Sequence, residues 1–314
     1  MNLENLEYFL VAAEEKNITR AAERLYISQQ SLSSHILRLE RHYGVTLFER
    51  RPTLMLTEAG RKLQKAARQM LNIEKELAHA LDDINHQRHV ELRIGIPYTR
   101  GRILLPEILP GFQKKHPQIE LHITEGHTAA LCEWIRNGQI DLLIAPSPIL
   151  EPTVQTISLM EERLFMCVPH ELLRKHYPEQ VPSVLSLAEF ADTPMLLMAP
   201  GNQLRRQMDS IFIQHHIQPN ILLETGNIET LISLCEKGLG ITFYPEMFVR
   251  YRLSQEHPQP LPVHFSLFQE HTVPSSLIIG YRLGNYVSYG MQTFIDVVRD
   301  YFSPGYRNDV LPLF

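Results

Sequence analysis

The chain is poor in several things, and each shortage excludes something. Its 314 residues hold three cysteines and one tryptophan. Cys132, Cys167 and Cys235 are far apart and odd in number, with no CxxC and no Cys/His metal spacing, so a disulfide framework or zinc ribbon is not expected. They read as reduced thiols of an intracellular protein. No apolar run approaches the ~20 residues needed to span a bilayer. The opening MNLENLEYFLVAAEEKN has neither a basic start nor a clean apolar core, so it does not read as a secretory signal. The expectation is a soluble, cytoplasmic chain with no membrane partner. G-x-S-x-G, the P-loop, H-E-x-x-H and the dinucleotide fingerprint are all missing. Gly238-Leu239-Gly240 lacks a third glycine, and His215-His216 lacks further metal ligands at suitable spacing. No catalytic residue, metal or cofactor is therefore expected, and the chain is not read as an enzyme.

What is present falls into three textures. Hydrophobic residues make up 44% and charged residues 21%, enough for two or three folded domains. The net charge of −5 is unevenly spread. Residues 20–62 carry 8 Lys/Arg against 4 Asp/Glu, while residues 90–314 carry 17 against 23. A basic head on an acidic body is the balance an attached nucleic-acid reader has, and the contrast is modest enough to fit an ordinary surface as well.

In the head, Leu3, Leu6, Phe9, Leu10 and Ala13 form a helical stripe over 3–16, and Asn17 reads as a break. A short helix follows at 18–25. Ser28 is a good N-cap for a third helix running to Tyr43, with Leu32, Ile36, Leu39 and Tyr43 inward and Gly44 as its stop. A row of polar side chains opens that third helix: Gln29, Gln30, Ser31, Ser33, Ser34 and His35. Residues 45–57 suggest a hairpin with Arg51-Pro52-Thr53 at its tip. Thr57 then caps a long helix. Leu63, Met70, Leu77 and Ile84 lie seven apart, and Ala66, Ile73 and Ala80 follow the first three by three. That is an a/d seam over about four heptads, the pattern of a two-helix coiled coil, with a long amphipathic helix lying on its own domain as the alternative.

From residue 90 strands and helices alternate, which predicts a mostly parallel sheet. Strands are expected at 90–97, 119–126, 141–146, 164–170, 194–199, 221–226, 240–245 and 276–284, and helices at 101–116, to about 137, 203–215, 228–237 and 287–302. Crossing segments near 160 and 268 would join two α/β halves around a cleft. The tail 303–314 is set apart, with Leu311 and Phe314 as docking candidates.

This order of parts resembles the LysR-type transcriptional regulators. "AAERLYISQQSLSSHILRLE" is similar to that family's helix-turn-helix. "LFER" and "LTEAG" (47–50 and 56–60) resemble its wing and linker start, and "GLGITFYP" (238–245) resembles a turn and strand of its second lobe. The resemblance is sharp over 1–62 and mainly architectural beyond. It implies an α/β fold with an all-α winged helix-turn-helix head over 1–58 and a linker and dimerisation helix over 59–88. A two-lobed, periplasmic-binding-protein-like effector domain would occupy 90–302, with lobe 1 about 90–160 and 269–302 and lobe 2 about 161–268. The family usually has proline where Gln30 stands, often a basic residue at Ser34 and an arginine near Thr53. Base preference is therefore not transferable from relatives.

The resemblance implies double-stranded DNA as partner, a homodimer through 59–88 and a dimer of dimers. A recognition helix offers its N-terminal side chains to base edges, where Gln pairs with adenine and Ser donates or accepts. Gln29, Gln30, Ser33 and Ser34 are the expected readers, with Ser28 and Ser31 beside them and Arg38 further along. Thr19 and the N–H groups opening helices 2 and 3 are expected at phosphates, and Arg50 and Arg51 at phosphate or the minor groove. A small-molecule effector, with a small carboxylate as default class, would sit between the lobes at strand ends. Tyr98, Thr99, Arg100, Pro146, Ser147, Gly201, Asn202, Gly226 and Asn227 are the expected lining. Arg100 is the expected carboxylate partner, with Arg102, Arg205 and Arg206 either as alternatives to it or as plain surface residues. The body alone also suits a solute-binding protein or an enzyme, and salt-dependent DNA binding separates those readings from a regulator.

Overall fold

The computed structural model describes residues 2–49, 53–84, 90–255, 260–271, 275–284 and 286–303. The chain divides into two units. The first holds α1 (Leu3–Glu15), α2 (Ile18–Arg24), α3 (Gln29–Tyr43), the strands β1 (Phe48–Glu49) and β2 (Met55–Leu56), and α4 (Glu58–Ile84). Each helix boundary has a local cause. Asn2 caps α1 by accepting from Glu4 N, and Lys16, at φ 51°, ends it. Asn17 is more than a break: its side chain accepts from Thr19 N and Arg20 N and starts α2. Ser28 Oγ accepts from Ser31 N at 3.1 Å and starts α3. Gly44 stops α3 at φ 67°, a left-handed conformation that suits glycine.

The apolar stripes of these helices meet in one core. Leu6, Phe9 and Ala12 of α1, Ala21 and Ala22 of α2, and Leu32, Ile36 and Leu39 of α3 are buried together. β1 and β2 pair antiparallel, Phe48 opposite Leu56, and Phe48 joins that core. The expected hairpin tip at Arg51 and Pro52 lies outside the described residues. Thr57 Oγ1 caps α4 by accepting from Gly60 N at 3.0 Å, and donates to Thr46 O at 2.7 Å. The expected seam of α4 is corrected at its start. Leu63 and Ala67 are buried in the head core, so the first heptad serves this chain. Met70, Ile73, Leu77 and Leu81 remain exposed along the rest of α4.

The second unit carries two sheets. The five-stranded sheet has the order β4-β3-β5-β13-β6, from β3 (Val90–Ile96), β4 (Ile119–Glu125), β5 (Leu142–Pro146), β6 (Val154–Glu162) and β13 (Ser275–Arg282). Its central strand β5 reads LLIAP and is buried along almost its whole length, as a strand covered on both faces requires. Helices α5 (Tyr98–Lys115), α6 (Thr128–Arg136) and α11 (Tyr289–Tyr301) accompany it. The other lobe is built on β11-β7-β12-β8, where β7 is Leu164–Pro169, β8 Val184–Leu185, β11 Thr242–Pro245 and β12 Val263–Phe268. The parallel pair β9 (Met195–Met198) and β10 (Ile221–Thr225) continues it through the bridge Met195–Ile241. Its helices are α7 (His170–His176), α8 (Gln203–Gln214), α9 (Ile228–Glu236) and α10 (Glu246–Ser254).

Both sheets are mixed, which corrects the expected mostly parallel arrangement. β3 and β5 are parallel, but β13 runs antiparallel to β5 and β6, and β7 antiparallel to β11 and β12. The physical reason is the two crossings. One passes directly from β6 to β7 through Arg163, and the other returns from β12 to β13. The outward and the returning crossing run side by side in opposite directions without a crossover helix, so β6 pairs antiparallel with β13 and β7 with β12. No helix among the described residues is long and apolar enough to cross a membrane.

Candidate nucleic-acid interface and ligand cavity

On the outward side of α3 the side chains of Gln29, Gln30, Ser33, Ser34, Leu37, Arg38 and Arg41 line a shallow concavity of about 460 Å³. The inward Leu32, Ile36 and Leu39 fix which face is outward, since 3.6 residues per turn places 30, 34, 37 and 41 opposite them. The structure thus brings five expected residues onto one face. Leu37 and Arg41 were not singled out, although their spacing from Gln30, Ser34 and Arg38 was legible.

Three other expectations are redirected. Ser28 spends its hydroxyl as the cap of α3, and Ser31, half-buried, does not line the concavity. Thr19 is exposed at the start of α2, but the N–H groups of Thr19 and Arg20 are already satisfied by Asn17. These helix starts therefore offer fewer N–H donors to phosphate than expected. Arg50 and Arg51 lie outside the described residues.

The second unit contains a cavity of about 660 Å³. It lies where β3, β5, β9 and β10 end and where α5, α6, α8 and α9 begin. Tyr98, Thr99, Arg100, Pro146, Ser147, Gly201, Asn202, Gly226 and Asn227 all line it. Tyr98, Thr99 and Arg100 were expected in a loop; they form the first turn of α5 instead, after Pro97. Asn202 and Asn227 cap α8 and α9 by accepting from Leu204 N and Glu229 N, at 2.8 and 2.9 Å. Their amide nitrogens remain as donors. Ser147 Oγ accepts from Ser276 N at 2.9 Å. Gly126, His127 and Thr128, at the start of α6, were not foreseen. Their signal was the polar His-Thr pair ending strand ITEG.

The charged lining decides what the cavity can hold. Arg100 is buried and gives its guanidinium to both oxygens of Glu162, at 2.6 and 3.2 Å. Its role as a ligand's carboxylate partner is corrected on that ground: its charge is already met. Arg163 likewise grips both oxygens of Glu246 at 2.9 Å. Burial alone would raise the Glu246 pKa, but hydrogen bonds from Arg163 and Arg250 outweigh it and bring it down to about 2. Arg206 is different. It is exposed, and its NH2 donates to the neutral Gln203 Oε1 at 2.7 Å. Of the alternatives, Arg102 pairs with Glu229 at 2.9 Å, and Arg205 with Asp209 and Glu224. The buried thiols of Cys167 and Cys235 are pushed up by burial, Cys235 to about 12, so they are poor nucleophiles. Glu91, Glu120 and His122 place exposed donor atoms within 4.8 Å of one another on β3 and β4, a grouping the sequence reading did not mark.

A helix-turn-helix head with a polar outer helix face, on a chain whose two-lobed body encloses a cavity, defines a ligand-responsive DNA-binding regulator. The family comparisons agree. The model of the bacterial regulatory helix-turn-helix protein, lysR family, matches residues 3–61, and that of the LysR substrate binding domain matches residues 85–303. The chain belongs to the LysR-type transcriptional regulators, DNA-binding proteins with a substrate-binding effector domain. It is 29% identical to the uncharacterized HTH-type transcriptional regulator YcgK of Bacillus subtilis, covering 96% of this chain and 94% of that one. It is 31% identical to the HTH-type transcriptional activator IlvY of Salmonella typhimurium, over 83% and 86%. A solved full-length OxyR variant from Pseudomonas aeruginosa superposes with a TM-score of 0.72 at 26% identity, covering 96% and 94%. The family's members are transcriptional regulators and not enzymes.

Proposed function

We propose that this regulator reads a two-fold-related DNA site as a homodimer, in the cytoplasm, and that a small monoanionic carboxylate in the body's cavity sets its activity. The observation that carries the DNA part is the single outward face of α3. It presents Gln29, Gln30, Ser33 and Ser34 for base edges, with Arg38 and Arg41 behind them for phosphate. The exposed stripe Met70, Ile73, Leu77 and Leu81 supports pairing of two long helices, since apolar side chains at this spacing are seldom left in water. A dimer of dimers, joined through the bodies, completes the assembly.

The carboxylate class is supported by the cavity's charges. Four helix starts aim partial positive charge at it. Glu162 and Glu246 already neutralise Arg100 and Arg163, which leaves Arg206 to meet one negative charge. The ligand favours one arrangement of the lobes over another and so shifts their population, and with it the spacing of the DNA heads.

Two measurements test these parts separately. Gln29→Ala and Ser34→Ala weaken binding to the preferred sequence and spare random DNA; an equal loss on both removes their role as base readers. A panel of small mono- and dicarboxylates is screened by thermal shift. A monocarboxylate is expected to raise the melting temperature of the wild type and not of Arg206→Gln; stabilisation unchanged in the variant would assign the charge elsewhere.

A further inference from the structure

The buried face of the reading helix is flanked by polar contacts: Glu40 Oε1 accepts from Leu47 N at 2.8 Å on one flank, and His35 meets α1 on the other. His35 lies on the flank of the face formed by Leu32, Ile36 and Leu39. Its Nδ1 is 2.6 Å from Asn5 Oδ1 on α1. An amide oxygen has no hydrogen to give, so the proton sits on Nδ1 and His35 is the donor. Asn5 is buried, at 4% exposure, in the first turn of α1, at the start of an otherwise apolar helix face. The imidazole also meets the Tyr8 ring edge-on, with centroids 4.7 Å apart, and Tyr8 OH donates to Glu4 Oε1 at 3.0 Å. Glu4, Asn5 and Tyr8 thus hold His35 from one side of α1.

Burying Asn5 costs free energy unless its amide is bonded. An apolar residue there would pack without that cost. The contact has a geometric consequence that apolar packing lacks. Leu32, Ile36 and Leu39 hold α3 against the core, but hydrophobic attraction is non-directional and tolerates a small roll of the helix. With a radius of about 5–6 Å including side chains, a roll of about 10° moves a side-chain tip by about 1 Å. That displacement is enough to spoil a hydrogen bond to a base edge, where useful distances span only about half an ångström. The His35–Asn5 bond is directional and sits to one side of the apolar stripe, so it opposes the roll.

We propose that His35, through Asn5, is a positioning residue for DNA reading: it fixes the rotation of α3 and so aims Gln29, Gln30, Ser33 and Ser34. This rests on the assignment of α3 as the reading helix. His35 itself touches no base and adds nothing to non-specific attraction.

The test compares full-length wild type, His35→Ala, Asn5→Leu and His35→Gln. Affinities are measured for the preferred fragment selected by the wild type and for random DNA, and a melting curve is recorded for each protein. His35→Ala and Asn5→Leu are expected to lower the specific-to-random affinity ratio about tenfold, the scale of one impaired base contact. Random-DNA affinity and its salt slope stay unchanged. His35→Gln, whose amide N–H can still donate to Asn5, restores the ratio to within about threefold. An unchanged ratio in His35→Ala overturns the proposal. A joint fall of both affinities with loss of the head's melting transition also overturns it, because the bond would then serve stability alone. A wild type with no preferred fragment fails earlier and differently: it refutes the reading-helix assignment before any variant is compared.

Discussion

Glu162 holds both arms of Arg100, and the same carboxylate accepts from the backbone N–H of Met247 at 3.3 Å. Arg100 comes from the first turn of α5, Glu162 from the end of β6 and Met247 from the first turn of α10. The Arg100 guanidinium also lies over the Phe248 ring, 5.1 Å from its centroid. Three elements are therefore tied through one buried carboxylate beside the cavity. The arginine that sequence alone offered to a ligand is part of the frame instead.

Removing one partner of a buried pair leaves the other charge stranded. Arg100→Ala is expected to cost about 3–5 kcal/mol in the body's stability. Replacing Arg100 and Glu162 together by methionine is expected to cost far less, since neither charge is then left alone. Urea unfolding of the variants decides this; equal losses for the single and double substitutions would show that the pair acts through packing.

Glu246 contributes to the acid limb of stability. Its folded pKa of about 2 lies below the ordinary glutamate value of 4.5, so the unfolded chain binds the proton more readily. Its contribution is fully present above pH 4.5 and is lost as pH falls toward 2. Glu246→Gln is expected to flatten the dependence of the urea midpoint on pH within that window, with little change in slope between pH 6 and 8. A wild-type slope retained in the variant would assign the acid limb to other carboxylates.

Two glycines inside helices should answer an alanine substitution with opposite signs. At Gly60 a methyl group would overlap the Leu47 carbonyl oxygen, where α4 crosses the end of the wing. At Gly111 in α5 nothing lies within 4 Å. Gly60→Ala is expected to destabilise the head by about 1–3 kcal/mol through overpacking. Gly111→Ala is expected to stabilise by about 0.5–1 kcal/mol, the ordinary helix preference. Melting temperatures that rise for both would mean that α4 can move away from Leu47.

Leu77 is 58% exposed at the middle of the α4 stripe. Leu77→Asp is expected to halve the mass of the sedimenting species, leaving two chains of 36.4 kDa each joined through their bodies. An assembly of unchanged mass would remove α4 as the pairing element.

Much of the head was legible because its determinants are local. Ser28 and Gly44 bracket α3 by side-chain and backbone rules that act within four residues, and the outward face of α3 follows from the inward one. Leu63 was not legible in the same way. An apolar residue at a seam position is equally at home in its own domain's core, and only the tertiary fold shows that α1 reaches it. Arg100 failed for a related reason. Its partner Glu162 is 62 positions away, and no local pattern joins them. The strand β6, VQTISLMEE, and the helix α10, EMFVRYRLS, were missed because both mix polar and apolar residues without a clean period. The prolines at 106 and 110 did not hide α5, but the helix starts three residues earlier than expected, after Pro97.

The central claim is that α3 reads a specific DNA sequence. The purified full-length protein is mixed with sheared genomic DNA from its source at moderate salt, with and without a small-molecule extract, and the retained fragments are sequenced. Enrichment of an interrupted, two-fold-related sequence is predicted, with half-sites about one helical turn or a multiple of it apart. Retention that follows fragment length alone, with or without the extract, would contradict it and leave the head a non-specific DNA binder.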